Sequence, residues 1–118
     1  MTVVETHEFQ AQAKKLLGQE EVLALINHLS RNPTDGDLIE GTGGVRKLRW
    51  RRPGTGKRGG YRIIHFFHDH ATPLFLFTIY QKNAQDNLSG AQRIQLRKMT
   101  KKIVAAYHSG VKSHVRNS

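Results

Sequence analysis

Two apolar runs lie close together in the second half of the chain, YRIIHFFH at residues 61–68 and LFLFTIY at residues 74–80. Each has the length of a β-strand, and each is apolar at both odd and even positions. Because successive side chains of a strand point to opposite faces, both faces of these strands have to be covered. We therefore expect two central strands of a sheet that packs against helices.

Residues before and after these runs recur at helical spacing. Two short helices are predicted before them, the first with Gly18 as its C-cap and the second ending at Asn32-Pro33. After them, Ser89 and Gln92 have the spacing of a capping box, which predicts the start of a last helix. These helices provide the apolar faces that the central strands require.

The remaining segments predict strands and turns. Residues 2–6 can form a first strand, residues 32–44 are a loop rich in turn residues, and residues 53–60 predict a hairpin connection. The order of elements predicts an α+β fold in which an N-terminal helical hairpin packs on a small antiparallel β-sheet with a C-terminal helix. We assign residues 1–108 to this single domain and residues 109–118 to a polar, basic C-terminal tail.

The strand that precedes the hairpin, at residues 45–52, concentrates the positive charge. Cations alternate in it with apolar residues: Lys47, Arg49 and Arg51 with Leu48 and Trp50. Alternation places the cations on one face of the strand. Residues 45–62 hold eight of the 19 Lys and Arg residues, and no acid occurs between Glu40 and Asp69. With a net charge of +10, this row favours the phosphates of a nucleic acid over a merely solvated edge strand.

Several kinds of site are excluded or disfavoured. The chain has no cysteine, which excludes disulfides and thiolate metal sites. Arg58 follows Gly56-Lys57 where a P-loop needs Ser or Thr. His68 and Asp69 point to opposite faces if the strand continues, so we expect no metal and no other cofactor. Without a signal peptide or an apolar stretch near the ~20 residues that span a bilayer, we expect a soluble, cytoplasmic protein.

The basic segment also limits the chemistry. It contains no carboxylate, which disfavours paired-carboxylate catalysis and two-metal phosphoryl transfer. Arginine and lysine can instead stabilise the extra negative charge that develops when the 2′-hydroxyl of RNA attacks the neighbouring phosphate. A lysine among other cations is easier to deprotonate, so it can act as the base. DNA lacks this hydroxyl, which makes RNA the expected substrate.

Four segments carry a resemblance to a known family: GTGGVRKLRW, GGYRIIHFF, LFLFTIYQKN and LSGAQ. Together with the helical hairpin, they resemble the RelE/ParE superfamily of toxins from type II toxin–antitoxin pairs, and among these its HigB-like branch. The resemblance extends over residues 2–108. It implies a compact α+β toxin that binds a cognate, acidic antitoxin protein.

The resemblance also implies an activity and its residues. RelE-like toxins cut mRNA in the ribosomal A site, so the expected function is a ribosome-dependent, metal-independent mRNA endonuclease that inhibits translation, with mRNA and the 70S ribosome as partners. The catalytic positions of the family correspond to Lys47, Arg49, Arg62 and Lys82. A tyrosine with which RelE stacks on a base has no counterpart in residues 83–88. His65, His68 and Tyr80 are candidates for that role.

A wider set of cations is assigned to RNA binding: Arg46, Arg51, Arg52, Lys57, Arg58, Arg93 and Arg97. The last two belong to a basic helix whose charges either contact phosphates or form a solvated face. Two other functions use the same fold, a ParE-like inhibitor that binds DNA gyrase and a non-catalytic RNA-binding module. The density of cations beside Arg62 favours cleavage over gyrase inhibition.

Overall fold

The computed structural model describes residues 1–51, 60–84 and 87–117, with side chains described as far as residue 108. These residues form three helices and one five-stranded sheet with the strand order β1-β5-β4-β3-β2. The elements are β1 (Val3–Glu5), α1 (His7–Leu16), α2 (Gln19–Arg31), β2 (Asp37–Leu38), β3 (Val45–Trp50), β4 (Tyr61–Phe66), β5 (Leu74–Gln81) and α3 (Gly90–Asn117). The predicted α+β fold is confirmed.

The central strands β4 and β5 are buried on both faces, as their sequence predicts. One face packs on α1 and α2, through Phe9, Leu25 and Leu29 among others. The other face packs on α3, through Leu96. Burying one large apolar side chain stabilises the folded state by about 1.5–3 kcal/mol. The sheet therefore separates two apolar layers, and each covering helix is needed for one of them.

Two features of the sheet differ from the prediction. β1 pairs with β5 in parallel, with Val4 beside Phe75, so the sheet is mixed rather than purely antiparallel. β2 lies within the segment that was predicted to be only a loop, and it pairs with β3 in antiparallel register. A strand of two residues is too short to show an alternation of apolar and polar side chains, so its sequence does not reveal it. β2 forms because it pairs with β3. It is the feature that most changes the surroundings of the basic strand.

The helix ends are mostly as predicted. Asn32 caps α2, because its backbone N–H donates to His28 O at 2.9 Å. At the start of α3, Gln92 N–H donates to Ser89 Oγ at 3.1 Å, and Ser89 N–H donates to Gln92 Oε1 at 2.8 Å. The assignment of Gly18 as a C-cap was wrong. Leu17 is the C-cap of α1, and Gly18 is the N-cap of α2, because the link between the helices is only these two residues long.

The backbone of α3 extends to Asn117, through the segment that the sequence analysis assigned to a polar tail. Its inner side is fixed to the connection before β3 by Thr100, which is buried. The Thr100 hydroxyl lies 2.9 Å from both Thr42 O and Arg97 O, and its single proton can be donated to one of them at a time. Gly43 has φ +80°, and a Cβ there would lie 2.7 Å from Thr100 Oγ1. This close approach holds α3 against the β2–β3 end of the sheet.

No helix within the described residues combines the length and the apolar character that crossing a bilayer requires.

Candidate nucleic-acid interface

The pairing of β3 with β4 brings two arginines together. Arg49 and Arg62 are direct register partners, so their side chains lie on the same face of the sheet. Lys47, two residues from Arg49, is on this face as well. It is the face covered by α3, since Val45 and Ile64 of the same parity belong to the apolar layer beneath that helix. Three of the four predicted catalytic residues, Lys47, Arg49 and Arg62, are thus neighbours on one surface, which we call the basic face.

Arg62 is the buried member of this group, with 8% of its surface exposed, whereas Arg49 is exposed. Within the described residues, the hydrogen bond found for its guanidinium is from one terminal nitrogen, NH1, to Tyr61 O at 3.2 Å. A guanidinium carries five N–H donors, and this contact within the described residues uses one of them. Like charges directly opposite each other destabilise a strand pair. An anion bound between Arg49 and Arg62 would relieve this repulsion.

Lys47 lies at the wall of a cavity of about 250 Å³ between β2 and the segment leading into α3. Its Nζ is 3.4 Å from Asn87 Oδ1. The cavity is also lined by acidic, apolar and basic residues, among them Asp37, Glu40, Leu88 and Arg93. The basic segment contains no carboxylate of its own, but the fold brings these two acids beside Lys47. β2 places Asp37 as the register partner of Lys47.

Lys82 lies at the end of the sheet that carries the two arginines. It follows β5 directly, its backbone N–H lies 3.4 Å from Gly60 O, and its side chain is exposed. Tyr80, two residues earlier, is the register partner of Arg62 and is half-buried. Tyr80 is therefore the one candidate for base stacking that lies beside the basic group.

Arg46 does not belong to this surface. Its position in β3 gives it the parity of Leu48, which packs in the layer under α1 and α2. One terminal nitrogen of its guanidinium, NH1, donates to Gly36 O at 3.0 Å, and Arg46 is the register partner of His65. The expectation that Arg46 binds RNA together with Lys47 conflicts with this placement, because neighbouring residues of a strand face opposite ways.

The other residues assigned to RNA binding fall into two groups, those with a described position near the basic face and those outside the described residues. Arg51 follows the last residue of β3 and is exposed. Arg93 lines the cavity with Lys47, and Arg97 is exposed about one turn further along α3. Arg52, Lys57 and Arg58, together with the predicted hairpin at residues 53–60, fall wholly or almost wholly outside the described residues.

His65, one of the histidines singled out in the sequence, is part of the core and has a structural role. His65 is fully buried on the α1–α2 side, and its Nε2 lies 2.8 Å from Asp35 O. Burial lowers the pKa of His65, so it is held in the neutral form and cannot stack on a base at the surface. The hydrogen bond from His28 Nε2, at 2.6 Å, lowers the pKa of the Asp35 carboxyl. His28 and Asp35 thus tie α2 to the segment before β2.

His68 lies beyond the other end of β4, which stops at Phe66 rather than continuing to residue 68 as predicted. The Nε2 of His68 is 3.7 Å from Asp69 Oδ2, and both side chains are about half exposed. This end of the sheet is the one opposite Arg62. Within the described ranges, no group of three or more His, Asp or Glu side chains is arranged to hold a metal ion.

Sequence reasoning missed Asp37, Glu40 and Asn87 as residues around Lys47. Asp37 and Glu40 are in the segment that was assigned to a loop, and Asn87 precedes the capping box of α3. The acidic residues are visible in the sequence close before the basic strand. The signal that could have identified them is the glycine-rich turn at residues 41–44, since such a turn returns the chain antiparallel to itself.

A comparison with protein-family models identifies the chain independently of these contacts. The model that describes the RelE toxin of the RelE/RelB toxin–antitoxin system matches residues 1–118. This match agrees with the three helices and the mixed five-stranded sheet. The chain belongs to the RelE toxin family of toxin–antitoxin systems.

Proposed function

We propose that this toxin is an mRNA endonuclease that cleaves through the 2′-hydroxyl of its substrate, and that it acts in the cytoplasm on mRNA held in the ribosomal A site. The observation that carries the proposal is the cross-strand pair of Arg49 and Arg62 with Lys47 on the same face. Two facing guanidinium groups repel each other, and a phosphate between them turns this repulsion into attraction. We also propose, from the sequence resemblance alone, that the toxin belongs to the HigB-like branch.

Each basic residue has a proposed role. Arg62, which is buried and fixed by the sheet, and Arg49 bind the scissile phosphate and stabilise the charge of its pentavalent transition state. Lys47 is the candidate base for the 2′-hydroxyl proton, because its Nζ faces the cavity next to this pair. Lys82 protonates the leaving 5′-oxygen or holds the phosphate. The reaction forms a bond from phosphorus to the 2′-oxygen and breaks the bond to the 5′-oxygen.

The surrounding cations have a supporting role in the proposal. Arg51, Arg93 and Arg97 are exposed and lie near the ends of the basic face, where they can contact phosphates on either side of the cleaved bond. Arg46 is left out of this set because of its opposite orientation. No metal or cofactor is required by the proposed reaction, since the attacking oxygen belongs to the RNA and the stabilising charges belong to the protein.

Mapping mRNA ends in a purified translation system tests the proposed activity. With the toxin present, we expect new 5′ ends within translated codons, and no such ends when the ribosome is omitted. Parallel assays of DNA gyrase supercoiling and of RNA binding address the other two functions. Gyrase inhibition with intact mRNA would support the ParE-like alternative, and RNA binding with intact mRNA would support a non-catalytic module.

We expect the antitoxin to associate with the toxin through the basic face. We propose that the partner is acidic and that it covers the row of Lys47, Arg49 and Arg51 or holds it away from the ribosome. Complementary charges mainly accelerate association, whereas buried apolar contacts supply much of the affinity. We therefore expect the association rate constant to fall as salt rises, with a small effect on dissociation.

Kinetics at several salt concentrations check this expectation, with Arg49→Gln compared to Lys15→Gln. Lys15 is exposed in the last turn of α1, so its replacement removes the same charge away from the basic face. Arg49→Gln should slow association more than Lys15→Gln does. An association rate that is independent of salt would mean that capture relies on apolar docking elsewhere.

A further inference from the structure

The cavity beside Lys47 contains groups that phosphate binding does not explain. Its walls include the carboxylates of Asp37 and Glu40, which would repel a phosphate. They also include Leu38, which is 62% exposed, and Leu88, which is almost fully buried. A recess with acceptor oxygens and apolar walls suits a flat ring that has N–H donors on its edge.

We propose that this cavity binds the nucleobase next to the scissile phosphate and that the Asp37 carboxylate selects bases by their N–H donors. The inference rests on the proposed endonuclease function and adds to it the base of the RNA that the toxin recognises. In single-stranded RNA, the base edges are free for such hydrogen bonds. Asp37 is thus a specificity-determining residue.

The register of the sheet fixes the relative order of the groups. Asp37 is the partner of Lys47, so their side chains lie on the same face. Arg49 follows two residues later on β3, about 7 Å along the strand, and lies opposite Arg62. A phosphate at the two arginines therefore leaves its own nucleotide within reach of Asp37. Lys47 lies between them, where the sugar with its 2′-hydroxyl would be.

The size and walls of the cavity fit a single base. Its volume of about 250 Å³ is below the about 300–1,000 Å³ that pockets for whole small ligands have, so a ring system fits and a longer segment does not. The side chain of Leu88, which belongs to the apolar layer beneath α3, offers an apolar surface to one face of the ring. Asn87 and Glu40 add further polar atoms at the edge.

The chemistry of a carboxylate predicts an order of preference. An ionised carboxylate accepts hydrogen bonds and donates none. Guanine presents an imino N–H and an amino group side by side, which match its two oxygens. Adenine and cytosine present one amino group each, next to an acceptor. Uracil presents its imino N–H between two carbonyl oxygens, which the carboxylate repels. We expect guanine to bind best and uracil least.

Binding to oligonucleotides that cannot be cleaved tests the proposal. The probes are four 2′-O-methyl RNA heptanucleotides of uridines in which only the central base is varied. The full chain should bind the guanine probe on the order of tenfold more tightly than the uracil probe, the discrimination expected of a two-bond contact. Asp37→Asn should reduce this ratio strongly, since an amide replaces one acceptor by a donor. Glu20→Gln, an equal change of charge on the exposed start of α2, should leave the ratio unchanged.

Equal binding of the four probes would overturn the proposal, as would an unchanged ratio in both Asp37→Asn and the double variant Asp37→Asn, Glu40→Gln. Cleavage of translated mRNA in the ribosome-containing system, measured in parallel, separates this outcome from a failure of the proposed function. Cleavage without base discrimination in binding would leave an endonuclease without this subsite. Base discrimination without cleavage would support the subsite and refute the endonuclease.

Discussion

Replacing Arg62 with alanine should lower the rate of RNA cleavage about 100- to 1,000-fold, the usual effect of removing one preorganised donor to a developing negative charge. Arg62 is 8% exposed and belongs to the central strand β4, so its guanidinium is fixed before the substrate arrives. Single-turnover rates of cleavage measure the effect without interference from product release. Growth arrest by the expressed variant should be lost in parallel.

Arg46→Ala is the matched control for this experiment. Arg46 is also an arginine of the sheet, but it lies on the opposite face with its guanidinium bonded to Gly36 O. Its replacement should leave the rate close to that of the wild type. Thermal unfolding of both variants shows whether the fold is retained. A third variant, Arg62→Lys, keeps the positive charge but removes the planar fork of N–H donors. A folded Arg62→Ala protein that cleaves at the wild-type rate would remove Arg62 from the site.

A single 2′-deoxy nucleotide on the 5′ side of the cleaved bond should abolish cleavage, because it removes the attacking oxygen. The same substitution one nucleotide away should have little effect, which separates loss of the nucleophile from a change in RNA conformation. With all-ribose RNA, the products should carry a 2′,3′-cyclic phosphate, or its hydrolysed form, and a 5′-hydroxyl. Mass spectrometry of the fragments identifies these ends.

Products with 5′-phosphate ends would contradict the mechanism, since they require water or another external nucleophile. The histidines that could then be considered as metal ligands, His68 and His70, are at the end of β4 away from Arg62. That separation makes cooperation between the two ends in one reaction geometrically unfavourable. End-group analysis therefore also tests whether the basic face is the reaction centre.

The sequence correctly predicts the elements that have a recognisable pattern of apolar residues or a capping motif. The runs that form β4 and β5 are apolar on both faces, and the capping box of Ser89 and Gln92 starts α3 as expected. The pairing partners of short strands could not be predicted in this way. β1 and β2 have three and two residues, and each depends on a neighbouring strand for its existence.

The sequence predicts which residues of β3 share a face, but it does not predict which residues of the neighbouring strands lie beside them. Alternation correctly places Lys47 and Arg49 on one face, and pairing with β4 adds Arg62 to them. The same alternation places Arg46 on the other face, so its charge alone does not support assigning it to RNA binding. Asp37 reaches Lys47 only because β2 forms, and spacing in the chain does not report such a contact.

The facing arginines also affect how this gene can change over generations. Arg49 and Arg62 oppose each other across two strands, and Arg62 has given up most of its hydration without gaining a carboxylate among the described residues. A mutation that replaces either by an uncharged residue of similar shape removes a repulsion from the native state. Functional sites commonly carry such a loss of stability. In a lineage that loses the antitoxin, harmless descendants of the toxin can thus arise by single steps that leave a well-folded chain behind.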